Sequence, residues 1–178
     1  MATWAAPAAI ALAASIGLAP AAPDDTVYDI VAPIEDIVAV YEEIDNAATT
    51  ATAADGQEIR LAADVNFDKD SAALTARAGE ILSAATSQWK ERTIETISVV
   101  GHTDSVQGAV DNQQLSNDRA AAVAAALKDA LGEVTITAAG KGATVPIAKE
   151  CGSAEEVEAA RALNRRVDIL VTFADEAP

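Results

Sequence analysis

Apolar residues recur along this chain with two different periods, and the switches between them mark out its elements. Ile59, Leu61, Ala63, Val65 and Phe67 alternate with Arg60, Ala62, Asp64 and Asn66, the pattern of a half-buried strand. The Asp55-Gly56 pair just before it is a hairpin turn signal. Over 75–90 the period becomes helical. Ala78, Ile81, Leu82, Ala85 and Trp89 share a face, and Thr75 is placed to cap the start. The β-branched run over 94–100 predicts a second strand. Ser116 is expected to cap a helix with Ala120, Val123, Leu127 and Leu131 facing inward, ended by Gly132. A short strand is expected over 134–138. Ser153 and Glu156 form a capping box for a brief helix ending near Leu163. Val167, Ile169, Val171 and Phe173 alternate in a last strand. The order predicts an α+β fold, a βαβαβ(α)β two-layer sandwich whose mixed sheet carries its helices on one face.

The segment before this domain reads differently. Residues 29–42 nearly repeat a heptad, and Ile30, Ile34, Ile37, Tyr41 and Ile44 fall on one helical face. Two readings stand, a short amphipathic helix docked on the domain or an extended arm. Residues 4–19 are almost wholly apolar and are followed by Ala19-Pro20-Ala21, the small-x-small form of a cleavage site. A secretory signal over 1–21 is expected, although no Lys or Arg precedes the run. An uncleaved anchor or a cytosolic tail are the alternatives, and membrane association follows only if the segment is uncleaved. The expected division is a leader at 1–21, an arm with an amphipathic segment and first hairpin strand at 22–57, the main domain at 58–173 and an acidic tail at 174–178.

Composition narrows the function. The net charge is -16 and no basic stripe occurs, which excludes nucleic acid as a partner. Aromatic residues make up only 3% of the 178 residues, so the core must rest on Ile, Leu, Val and Ala. The one cysteine, Cys151, can form no internal disulfide and has no metal-ligand company. The single histidine, His102, lacks the partners of a zinc hydrolase, and no serine sits in a glycine elbow. No catalytic residues, no metal and no cofactor are expected.

Two charged positions stand out. Asp104 directly follows a predicted strand, where loops gather ligand-binding side chains. Arg119 falls three residues after the expected Ser116 cap, in a first turn where the helix dipole disfavours a cation. A helix start and a guanidinium both favour a carboxylate, and a nearby aspartate favours an ammonium. Together they suit a zwitterion. A plain Asp104–Arg119 salt bridge is the other reading.

The motifs Gly101-His102-Thr103-Asp104, then Leu115-Ser116-Asn117-Asp118-Arg119-Ala120, then Asn164-Arg165-Arg166-Val167, opened by Val65-Asn66-Phe67-Asp68, resemble the OmpA-like (OmpA C-terminal) domain family over about 58–173. The resemblance implies noncatalytic binding of peptidoglycan in the cell envelope. It implies that Asp104 and Arg119 hold the diaminopimelate of the stem peptide, with Asn112, Leu115, Phe67 and Arg165 lining or supporting the site. It also implies an exported protein of the periplasm, cell wall or outer membrane. The alternative is a structural or protein-interaction module of the envelope with an altered pocket. Gln107, Asp111, the stretch Lys141-Gly142-Ala143 and the pair Lys149-Glu150 depart from the family pattern beside the expected site.

Overall fold

The computed structural model describes residues 40–174 apart from 45 and 54, with the backbone alone for 40–44. Among the described residues six strands form one sheet in the order β1-β2-β3-β6-β4-β5. These are β1 (Val40–Ile44), β2 (Ala48–Thr52), β3 (Gly56–Ala62), β4 (Ile94–Gly101), β5 (Ile136–Gly140) and β6 (Arg166–Phe173). The helices are α1 (Ala63–Asn66), α2 (Ala76–Trp89), α3 (Asn112–Leu131) and α4 (Ala154–Asn164). Only β4 and β5 pair in parallel, so the sheet is mixed as expected.

Alternation on the central strands makes the core. Ile59 and Leu61 of β3, Ile97 and Val99 of β4, and Val167, Ile169, Val171 and Phe173 of β6 are all buried. On the opposite face Leu170 is exposed, so the sheet has a wet side. Ala78, Ile81, Leu82, Ala85 and Trp89 of α2 are buried, as are Ala120, Val123 and Leu127 of α3. Trp89 is a core residue whose indole N–H donates to Gln57 Oε1.

Four elements differ from the sequence expectation. The strand predicted to run to Phe67 ends at Ala62, and residues 63–66 form the turn α1. Asn66 explains the change, because its buried amide donates to the carbonyls of Ala47 and Ala62 and curls the chain inward. Residues 40–44 form β1, paired antiparallel with β2, so the helical face expected to reach Tyr41 and Ile44 does not extend there. The rest of the 29–42 repeat, the 1–21 leader and the end of the acidic tail lie outside the described residues. β5 starts two residues later than predicted. Ser116 is not a cap. Helix α3 begins at Asn112, capped by Asp111, whose Oδ1 accepts from the N–H groups of Gln113 and Gln114. A carboxylate is the stronger cap because it also meets the positive end of the dipole. Arg119 is therefore well past the first turn, and the dipole gives no reason to single it out.

Ser116 has a different task. Its Oγ donates to Gln113 O and accepts from Gly142 N–H at 2.9 Å, fastening α3 to the loop after β5. The contact is close because two glycines, paired across β4 and β5, lie beneath it. A Cβ on Gly101 would overlap the Ser116 carbonyl, and one on Gly140 would overlap Ser116 Oγ and Asn117 N. The helix can settle on the strand ends only if both positions lack a side chain.

Candidate functional site

Strand ends and one face of α3 enclose a cavity of about 480 Å³. Asn112, Leu115 and Arg119 follow the three-then-four spacing that sets side chains on one helical face, and all three line it. Phe67 comes from the chain just after α1, Asp104 from the loop after β4, and Arg165 from the end of α4. All six candidate residues thus border one cavity. The lining acids Asp64, Asp68, Asp70, Asp104 and Glu158 face the bases Lys69, Arg119 and Arg165, five carboxylates against three cations.

Arg119 is 6% exposed, yet among the described residues it makes no ion pair within 4.0 Å. Its Nε donates to Ser71 O at 2.9 Å, which ties α3 to the loop following Phe67. Its guanidinium carbon lies 5.2 Å from the centre of the Phe67 ring. Burial pulls its pKa down, opposed by the fields of Asp64 and Asp70. It stays a cation, because a guanidinium does not give up its proton in a protein. Its two Nη groups have no protein partner among the described residues and border the cavity. This is a desolvated charge with donors to spare.

Asp104 already has partners within the domain. Its Oδ2 accepts from Arg165 Nη1 at 2.7 Å and its Oδ1 from Val106 N–H at 3.0 Å. The alternative of an Asp104–Arg119 salt bridge is not what forms. Arg165 also grips Asp64 through two bonds of 2.8 and 2.7 Å and reaches Glu158 at 2.9 Å. These carboxylates, Asp64 first, raise its pKa well above the ordinary guanidinium value despite partial burial. Arg165 therefore staples α1, the Asp104 loop and α4 together around the cavity. Asn112 fixes the same loop from below, its amide donating to the carbonyls of Asp104 and Val106.

Neighbouring conspicuous residues face elsewhere. Arg166 is buried against Asp168 at 3.0 Å, two residues on along β6. His102 is buried with Nε2 3.5 Å from the same carboxylate. Burial, then Arg166, pushes its pKa down, so the ring is neutral. Neither lines the cavity. The sequence pattern had not marked Asp64 or Glu158. The first looks like the polar position of a strand, and the second like an ordinary partner for Arg161 one turn on.

Comparison with known sequences decides the lineage. The OmpA family profile matches residues 66–161, more than half of the chain, including Phe67, Asp104, Asn112, Leu115 and Arg119 of the cavity lining. The chain belongs to the OmpA family. Outer membrane porin F of Pseudomonas fluorescens is 36% identical to it over 119 residues, 65% of this chain and 34% of the relative. Outer membrane protein A of Bordetella avium is 36% identical over 108 residues, 60% of this chain and 53% of the relative. The chain thus spans between a third and about half of the length of these OmpA-family relatives. The cell wall anchor of the type VI secretion system from Pseudomonas aeruginosa superposes with a TM-score of 0.63 at 28% identity. That match covers 72% of this chain and 90% of the other. Among the described residues no helix is long and apolar enough to cross a membrane.

Proposed function

We propose that this OmpA-family chain is a noncatalytic module of the cell envelope that binds peptidoglycan through the diaminopimelate of its stem peptide. The observation that carries the reading is Arg119, a buried guanidinium whose Nη donors lack a protein partner among the described residues, in the cavity that Asp104 also lines. A desolvated cation of this kind favours a carboxylate. The excess of lining carboxylates favours an ammonium beside it. Diaminopimelate carries both groups at the end of its side chain, whereas lysine carries only the ammonium. The cell wall anchor that shares the fold supports the same reading. Asn112 and Arg165 shape the site by holding the Asp104 loop, while Phe67 and Leu115 supply its apolar walls.

Co-sedimentation with insoluble peptidoglycan tests this. The wild-type chain pellets with the wall, and Asp104→Ala or Arg119→Ala lowers affinity by about 2–5 kcal/mol. Retention of full binding by both variants refutes the site. A second reading rests on Asp104, whose two oxygens are both already engaged. On that reading the pocket is closed to wall fragments and the domain binds an envelope protein instead. A wild-type chain that stays in the supernatant favours it. Export through residues 1–21 belongs to the same proposal, and N-terminal sequencing of the mature protein checks it.

A further inference from the structure

The loop that presents Asp104 is held from outside the cavity by a residue that does not line it. The Glu150 carboxylate accepts from Ser105 N–H at 3.1 Å and Ser105 Oγ at 2.5 Å, immediately after Asp104. It also accepts from Asn164 Nδ2 at 3.0 Å and Arg161 Nε at 3.3 Å, both on α4. Asn164 is wholly buried, and its Oδ1 receives the N–H groups of Ile147 and Ala148. The end of α4 therefore anchors the loop that carries Glu150, and Glu150 anchors Ser105. The next residue of that same helix end, Arg165, bonds Asp104 itself.

We infer that Glu150 is a positioning residue for wall recognition, setting the aim of the Asp104 carboxylate by clamping Ser105 to α4. The inference rests on the reading of Asp104 as a ligand contact. Asn112 secures the loop's carbonyls. Glu150 secures the N–H and hydroxyl of Ser105, and no other described side chain does so. Binding groups held loosely lose affinity even when present, because the ordering cost moves into the binding step.

The test uses the full chain, insoluble peptidoglycan and amide exchange read by NMR. Glu150→Ala is expected to weaken wall binding by about tenfold. It should also speed exchange at Val106, whose N–H is held by Asp104 Oδ1, while β4 and β6 exchange as in the wild type. Glu150→Gln, which keeps one carbonyl acceptor, should lose less. Ser105→Ala, which cannot disturb α4 directly, should lose binding in the same direction. Wild-type affinity in Glu150→Ala alongside lost affinity in Asp104→Ala overturns the positioning role alone. Uniformly faster exchange across the sheet in Glu150→Ala, with Ser105→Ala binding normally, also overturns it and leaves Glu150 a stability residue. Full binding by Asp104→Ala removes the underlying site reading as well.

Discussion

Arg165 and Asp104 meet at 2.7 Å, and Arg119, in the same cavity, has no carboxylate within ion-pair distance among the described residues. The two arginines have opposite electrostatic positions. Arg165 answers three carboxylates at once and is held by them. Arg119 bears the cost of burial with a single carbonyl bond and a nearby ring in return.

That cost predicts an uncoupling of stability from binding at Arg119. A buried charge that no ion pair compensates is costly, and an apolar side chain of similar reach removes that cost. Arg119→Met should therefore unfold in urea within about 1 kcal/mol of the wild type, or later. The same variant should lose wall binding. A large loss of stability would mean that Arg119 serves the fold.

Arg165 should behave in the reverse way. Removing it strands Asp64, Asp104 and Glu158 close together, so Arg165→Ala should destabilise by about 2 kcal/mol, measured by urea unfolding. Arg165→Lys should recover little, since an ammonium cannot reproduce the two-pronged bond to Asp64.

The fold shows why some of this was legible in the sequence and some was not. Helix α2, strands β4 and β6 and the Ser153–Glu156 box follow from periodicity and capping chemistry, and they form as read. A first hairpin strand is expected ahead of Asp55-Gly56, but its bounds are not legible, because Ala48–Thr52 is all Ala and Thr with no apolar alternation to mark them. Residues 40–44 pair with that strand in a tight hairpin, and its ladder overrides the helical spacing at Tyr41 and Ile44. Ser116 reads as the cap because the inward positions Ala120, Val123, Leu127 and Leu131 follow it at helical spacing, and the sequence reading gives Asp111 no such role. The aspartate prevails by accepting from two N–H groups, and Ser116 is spent on the glycine loop. Arg119 was thus singled out by an incorrect dipole argument as well as by the family motif. Its burial without an ion pair is a tertiary fact that no local pattern encodes. Glu150 looked like a departure from the family pattern, and only the folded chain brings it to Ser105.

Glu150 makes acid stability informative. Its carboxyl is lowered from 4.5 to about 2, chiefly by the Ser105 hydroxyl. A depressed folded pKa stabilises the native state above the unfolded value, and that share is lost as pH falls from about 4.5 toward 2. Urea midpoints measured across this window should fall for the wild type. Glu150→Gln should fall less steeply there. Parallel curves would mean that other carboxylates account for the acid sensitivity.

The glycine pair under α3 is expected to tolerate no side chain. Gly101→Ala and Gly140→Ala each drive a Cβ into the Ser116–Asn117 backbone or hydroxyl, so each should cost about 1–3 kcal/mol in urea unfolding. Wall affinity should fall too, since a lifted helix carries Arg119 away from Asp104. Gly79→Ala is the control, because a Cβ there meets nothing within 4 Å.

The most direct measurement is an NMR titration of the labelled chain with two soluble stem tetrapeptides ending in D-alanine, one with diaminopimelate as third residue and one with lysine. Saturable shifts at Arg119 Nε–H and the Val106 amide with the diaminopimelate peptide, and far weaker ones with the lysine peptide, are expected. Equal responses to both peptides, or shifts confined to residues away from the cavity, would contradict a grip that depends on a paired carboxylate and ammonium.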